Sequence, residues 1–232
     1  MAPGSFTAFP PSTAAFYRDL EQNNDRAWFE DHKERFIREV RDPSLAFIEA
    51  MGPRLAALAP AVQFDTRTNG AGSLMRIYRD TRFSKDKTPY KTNLGIIFWE
   101  GPGKKMECPG FYFHLEAGSI GFYGGLYRFT DAQIDTYRAA LVNDRLGAEL
   151  DDVLNELRAL GPYRVGGSHL KTVPRGFDPD HPRADLLKHN GLYAGLDLDD
   201  PGLVSRPEFM DVAFEHWRVL APLHHWLVRH VA

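Results

Sequence analysis

Cysteine is almost missing from this 232-residue chain. Cys108 stands alone, so no intramolecular disulfide can form and no thiolate cluster can hold zinc. A reducing, cytoplasmic setting is the expectation. Long apolar runs are missing too: no uncharged stretch approaches the ~20 residues that a membrane-spanning helix needs. The opening M-A-P-G-S-F-T-A-F-P-P has neither a basic start nor a continuous apolar segment. The chain is therefore expected to be soluble, unprocessed and without a membrane partner. A general excess of positive charge is also lacking, and the net charge of −3 leaves only a local patch for binding polyanions. No repeat, low-complexity tract or linker interrupts the sequence. The motifs G-x-x-x-x-G-K-[ST], G-x-S-x-G and H-E-x-x-H are all absent. N-G-A-G-S at 69–73 is only a fragment of a glycine-rich loop. No serine or cysteine stands out as a nucleophile, and Cys108, next to Pro109 in a turn, is assigned no chemical role.

What is present supports a large core, with 43% hydrophobic and 12% aromatic residues. Residues 1–11 carry proline and glycine and read as a flexible N-terminus ahead of one α+β domain over 12–232. Ser12 or Thr13 is the expected cap of a first helix carrying Phe16, Tyr17 and Leu20. Asp25 caps a second, whose Trp28, Phe29, Phe36, Ile37 and Val40 recur at helical spacing, with His32 structural. Asp42-Pro43 reads as the start of a third, kinked or broken at Pro53. Runs of β-branched and aromatic residues then predict strands at 73–79, 92–99, 111–117 and 120–127, a mainly antiparallel meander near 73–127. Strand 92–99 is apolar on both faces, which predicts a central position. Helices return after 129, capped by Thr130 or Asp131, and a second one stops at Gly161-Pro162. Loop follows over 163–182, with a possible short strand near 169–173. A short helix at 182–190, a strand at 192–198 and a long C-terminal helix from about 206 close the chain. N- and C-terminal helices thus pack the sheet.

The most unusual stretch is 73–92, S-L-M-R-I-Y-R-D-T-R-F-S-K-D-K-T-P-Y-K-T. Six cations, Arg76, Arg79, Arg82, Lys85, Lys87 and Lys91, meet two carboxylates, Asp80 and Asp86, while the chain as a whole is acidic. Concentrated like charge costs stability unless an anion compensates it. Arginine forks recognise carboxylate or phosphate bidentately and lysines add mobile charge. Pro89 gives the loop a defined path. The competing reading is a solvated turn in which Asp80 and Asp86 pair with neighbouring arginines and lysines at little net gain.

Strand alternation adds a second set of residues. Phe111, Phe113 and Leu115 share one face and Tyr112, His114 and Glu116 the other. Arg76 and Tyr78 oppose Met75 and Ile77, and Tyr123 and Tyr127 lie on one side of 120–127. If the polar sets align, Arg76, Tyr78, Tyr112, His114, Glu116, Tyr123 and Tyr127 line one surface, with Tyr90 available in the basic loop. The alternative is a solvated outer face. His114 and Glu116 are the candidates for general acid or base, or for two ligands of a divalent ion. The commoner arrangement has Glu116 paired with an arginine of the basic segment and His114 hydrogen-bonded within that network.

R-I-Y-R-D-T-R-F-S-K-D-K-T-P-Y-K-T at 76–92, P-G-F-Y-F-H-L-E at 109–116, G-G-L-Y-R at 124–128 and N-N-D-R-A-W-F-E at 23–30 resemble the signature of the domain of unknown function 2461 family, which is mainly bacterial. The similarity spans roughly 12–228. It implies a shared fold and a shared site, and no particular reaction, cofactor or partner.

The residues themselves favour a cationic polar pocket for an anionic, phosphate-bearing small molecule. Any catalysis there would be phosphoryl or phosphodiester chemistry, with the cations stabilising developing charge and His114 or Glu116 moving protons. Two other classes stay open. One is a nucleic-acid-binding module in which Tyr78, Tyr90, Tyr112, Tyr123 and Tyr127 stack bases. The other is a structural protein whose patch docks an acidic partner. No cofactor and no oligomeric state is implied.

Overall fold

The computed structural model describes residues 6–167 and 169–232. Its fold is α+β, with helices and a six-stranded antiparallel sheet. Helices α1 (Ser12–Gln22), α2 (Arg26–Asp31), α3 (Lys33–Phe36) and α4 (Asp42–Leu55) come first, and strands β1 (Val62–Gln63), β2 (Leu94–Glu100), β3 (Gly110–Leu115) and β4 (Ile120–Leu126) follow. Next come α5 (Asp131–Val142), α6 (Asp144–Ala159), β5 (Arg164–Gly166), α7 (Ala184–Leu187), β6 (Leu192–Leu198) and α8 (Phe209–His230). The strand order is β1-β2-β3-β4-β6-β5, so the expected meander is real over β2–β4. All seven residues of β2 are buried, as its two apolar faces predict, and it lies inside the sheet. β5 was not foreseen: Arg164–Gly166 reads as loop but pairs with β6 through Arg164↔Gly195, Val165↔Ala194 and Gly166↔Tyr193. Near 169–173 there is a single bridge, His169↔His189, instead of a strand.

Packing divides the chain into two compact units. The first comprises the chain up to Phe98, Tyr112–Phe122 and Asp197–Glu215, and the second Trp99–Phe111, Tyr123–Leu196 and His216–Ala232. Of the N-terminal stretch read as flexible, residues 1–5 lie outside the described residues. Phe9 is 1% exposed and its N–H donates to the Val204 carbonyl at 2.9 Å. In the first unit Phe9, Phe47, Phe113 and Phe209 form an aromatic core, with Phe113 and Phe209 centroids 5.3 Å apart and Phe113 and Phe122 5.6 Å apart. Offset and edge contacts of this kind add to the gain from burial alone. The second unit gathers Phe111, Tyr137, Trp217 and Trp226, all essentially inaccessible, with the Trp226 indole donating to the Leu146 carbonyl at 3.1 Å.

Two helix caps follow the sequence and two do not. Asp25 accepts from the Trp28 N–H at 2.9 Å, and Thr130 forms a reciprocal capping box with Gln133. Ser12 and Thr13 do not cap α1, whose cap position is Pro11 with no side-chain cap; Ser12 and Thr13 already lie within the helix. Asp42-Pro43 does open α4, with Pro43 in its first turn, but Asp42 is not its cap. A five-residue π-helical turn, Ile37–Arg41, carries α3 straight into α4. Pro43 has no N–H for the Glu39 carbonyl four residues back, and the Thr13 hydroxyl donates to that carbonyl at 2.5 Å instead. Pro53 lies two residues before the end of α4, and the helix continues past it to Leu55.

Candidate functional site

The strand expected at 73–79 is reduced to isolated bridges. Leu74 bridges Ile96 and Tyr78 bridges Tyr90, with hydrogen bonds from Met75 N to Gly95 O (2.9 Å), Arg79 N to Pro89 O (2.9 Å) and Lys91 N to Ile77 O (2.7 Å). The backbone therefore folds 76–79 against 89–91 and leaves 80–88 as a protruding loop. The expected faces survive over 76–78, where Ile77 is buried and Arg76 and Tyr78 are exposed, but not at 74–75, where Leu74 is buried and Met75 only partly so.

Inside that loop the charges are matched. The Arg82 guanidinium grips Asp80 through Nε–Oδ1 (3.0 Å) and Nη2–Oδ2 (2.7 Å), and Arg79 binds both Asp86 and Thr88. Asp86 also accepts the Thr88 N–H at 2.9 Å, and Lys87 Nζ donates to the Thr81 carbonyl at 2.9 Å. These contacts hold the two carboxyls well below their usual range. Asp80 falls to about 2, chiefly through its hydrogen bond from Arg82, and Asp86 to about 2, chiefly through the Thr88 N–H and then Arg79. The competing, internally paired reading thus describes Arg79, Asp80, Arg82, Asp86 and Lys87. Phe83, at the loop tip, is 95% exposed with the Arg82 guanidinium 5.8 Å from its ring centre.

Arg76 and Lys91 are placed differently. Among the described residues neither side chain has a hydrogen-bonded or ion-paired carboxylate; Asp80 feels the Arg76 charge but is engaged by Arg82. Lys91 is half-buried, and its ammonium is pushed below the ordinary lysine range first by loss of solvent and then by the Arg76 charge. Lys85 is exposed in the loop.

Tyr90 does not face a ligand. It is 3% exposed, stacked on Phe29 at 4.2 Å, and burial raises the pKa of its hydroxyl. Asn24 holds its backbone at both ends, donating to the Tyr90 carbonyl (2.9 Å) and accepting its N–H (3.1 Å). Tyr78 packs beside it with centroids 5.4 Å apart and stays 54% exposed.

On β3 the expected alternation holds. Phe111, Phe113 and Leu115 are fully buried, and Tyr112 and His114 are partly exposed on the opposite side. Glu116, one residue beyond the strand, turns back to His114, with Oε1 2.8 Å from Nε2; its partner is this imidazole and not the arginine expected from the basic segment. His114 Nδ1 lies 3.2 Å from the Tyr112 hydroxyl and 3.4 Å from the Asn93 amide nitrogen. Burial, then the Glu116 charge, pushes the Tyr112 hydroxyl up to about 12. Gly95 makes room for it: a Cβ there would stand 2.5 Å from the Tyr112 oxygen. Asn93 and Gly95 were not singled out from the sequence, because only strand register shows what they face. Tyr123 and Tyr127 belong to the second unit, where both meet Tyr193, edge-on at 6.0 Å and stacked at 5.9 Å respectively.

The family model for conserved hypothetical proteins of DUF2461 matches residues 12–226, nearly the whole chain. The chain is a member of the DUF2461 family. No curated protein matches it. All the site-bearing segments, from Asn24 to Tyr193, fall within the part matched by DUF2461. Among the described residues of this DUF2461 chain, no group of three or more His, Cys, Asp or Glu side chains is arranged to hold a metal ion. Nor is any helix long and apolar enough to cross a membrane.

Proposed function

We propose that the protein binds an anionic small molecule bearing a phosphate, with Arg76 and Lys91 as its principal anchors and Lys85 as a mobile third charge. The observation that carries this reading is the half-buried Lys91 ammonium beside the Arg76 guanidinium, with no carboxylate bonded to either among the described residues. Two like charges held together in reduced solvent oppose folding unless an anion joins them, and a phosphate can accept from the guanidinium fork and the ammonium at once. The remaining three cations of the basic segment supply field and shape. We place the activity in the cytoplasm, where a lone buried thiol such as Cys108 stays reduced.

The test is thermal stability with sugar phosphates, nucleotides and inorganic phosphate. A ligand at about a hundred times its Kd stabilises the fold by ~2.7 kcal/mol, a shift of roughly 5–10 °C for a chain of this size. The shift is expected to vanish in Arg76→Ala and Lys91→Ala. If it survives in both, the anchors are elsewhere and the proposal fails.

A second reading has its own support: Phe83 and Tyr78 are exposed aromatics beside Arg82, Lys85 and Lys87, a combination suited to stacking single-stranded bases. Oligonucleotide binding that weakens steeply with salt and is lost in Phe83→Ala would favour it.

A further inference from the structure

The second unit carries a pair of histidines that the anion-binding reading leaves unused. His169 and His189 face each other across their isolated antiparallel bridge, which the Leu170 N–H tightens by donating to the Lys188 carbonyl at 2.8 Å. Their ring centres are 5.7 Å apart, with 29° between the planes. Each ring is tethered in the same way. His169 Nδ1 lies 3.2 Å from the Gly167 carbonyl oxygen, and His189 Nδ1 lies 3.2 Å from that of Gly191. A carbonyl only accepts, so each Nδ1 carries the proton and each neutral ring leaves the Nε2 lone pair bare. Among the described residues neither Nε2 meets a hydrogen-bond partner. Gly167 lets the two segments come this close: its φ is +143°, and a Cβ there would stand 2.1 Å from the Gly191 oxygen and 2.9 Å from His189 Nδ1.

A ring that donates Nδ1–H to a backbone carbonyl and keeps Nε2 bare is a histidine held ready as a metal ligand. One such ring is common; two on facing bridge positions supply a chelate. Two imidazoles sharing one tetrahedral ion at zinc–nitrogen distances have centres roughly 5 Å apart, so small side-chain rotations close the observed spacing. His169 is exposed and His189 half-buried, which leaves the pair open to an ion arriving from solvent. Burial opposes a charged His189 ring and so favours the neutral form that a metal needs. Asp185, on α7, is held below the usual carboxylate range chiefly by Lys188 Nζ, 2.7 Å away, and to a smaller degree by both rings. It adds negative field instead of a third ligand, in keeping with the lack of any three-residue metal cluster among the described residues.

We propose that His169 and His189 form a two-histidine site for a divalent ion of the zinc, nickel or copper type, bound through both Nε2 atoms with water filling the other positions. Two neutral nitrogens suit those ions, whereas magnesium and calcium take oxygen ligands. The bound ion clasps the β5–β6 ladder beyond its last pair, Gly166↔Tyr193, by joining His169 to His189.

Titration of the full chain with zinc alone, followed by nitrogen-15 NMR of its nine histidine rings, tests this. Before zinc is added, His169 and His189 are expected to be neutral and protonated at Nδ1. One equivalent of zinc is expected to shift both Nε2 resonances together, and magnesium neither. His169→Gln, a change at an exposed position, is expected to weaken zinc binding on the order of a hundredfold as the chelate is lost, and His189→Gln to do the same. Three results would each overturn the site: rings protonated at Nε2 in the free protein, zinc taken up only at other histidines, or a His169→Gln variant that binds as tightly as wild type. Equal shifts with magnesium would overturn the class of ion.

Discussion

The loop at 80–88 and the pair formed by Arg76 and Lys91 hold the same kind of charge in opposite circumstances. In the loop, each arginine has a carboxylate and Lys87 has a carbonyl, all on an exposed turn. Arg76 and Lys91 stand beside one another with no carboxylate bonded to either among the described residues, one of them half out of water. Counting cations in the sequence ranks the loop higher. Counting unmatched cations reverses the order. Charge already neutralised by its neighbours has little left to offer a ligand, whereas charge the fold leaves uncompensated can repay its cost on binding.

The sharpest way to break this contrast is to remove one charge from each side. Arg76→Ala should abolish a phosphate-dependent rise in Tm of roughly 5–10 °C, and Arg82→Ala should leave most of it; equal losses would erase the distinction. Next in size is a change that removes no charge. Gly95→Ala puts a methyl group 2.5 Å from the Tyr112 oxygen and should cost about 1–3 kcal/mol by urea unfolding, the usual penalty for overpacking. The same variant should lose the Tyr112 contact to His114. Smaller, and opposite in sign, Lys91→Met should stabilise the unliganded protein by on the order of 0.5 kcal/mol, the scale of a screened charge contact. The pH dependence agrees in sign: the folded pKa of Lys91 is lowered, so the unfolded chain binds more protons as pH rises through that value towards 10.5, and wild-type stability rises there relative to Lys91→Met. Smallest is the loop's own response to acid. Asp80 and Asp86 titrate near 2 in the fold against 3.8 for the free group, so their contribution is present above 3.8 and lost as pH falls towards 2. Amide exchange within 80–88 should quicken relative to Asp80→Asn over that interval, with no change at Lys91.

Features set by neighbours in sequence were readable before the fold was seen. The Asp25 cap, the Thr130 cap, the β2–β4 meander and the alternating faces of β3 all depend on residues a few positions apart. The errors share a different cause. Asp42 looks like a cap because Pro43 follows it just inside a helix start, and nothing nearby in the sequence says that Thr13, 26 positions before Glu39, satisfies the carbonyl that Pro43 leaves open while the preceding turn runs on into α4. The 73–79 segment has strand composition, yet it finds pairing partners at only two points. Tyr90 and Tyr78 are chemically alike, and only tertiary packing against Phe29 separates a buried ring from an exposed one. Within the candidate site, the cations and the Tyr112, His114 and Glu116 set were legible as residue types on one face. Which cations are unmatched, and that Glu116 turns to His114 instead of an arginine, were not.

Asn24 has one more effect. At an antiparallel bridge such as Tyr78↔Tyr90, the hydrogen bonds of the flanking residues tie the two segments together, and Tyr90 turns its own N–H and C=O outward. An outward pair of this kind is an invitation to any extended chain that drifts past. The Asn24 side chain, an amide with the same donor and acceptor as a peptide unit, takes both. It works as a one-residue imitation of a neighbouring strand, closing this edge of the basic segment to self-association.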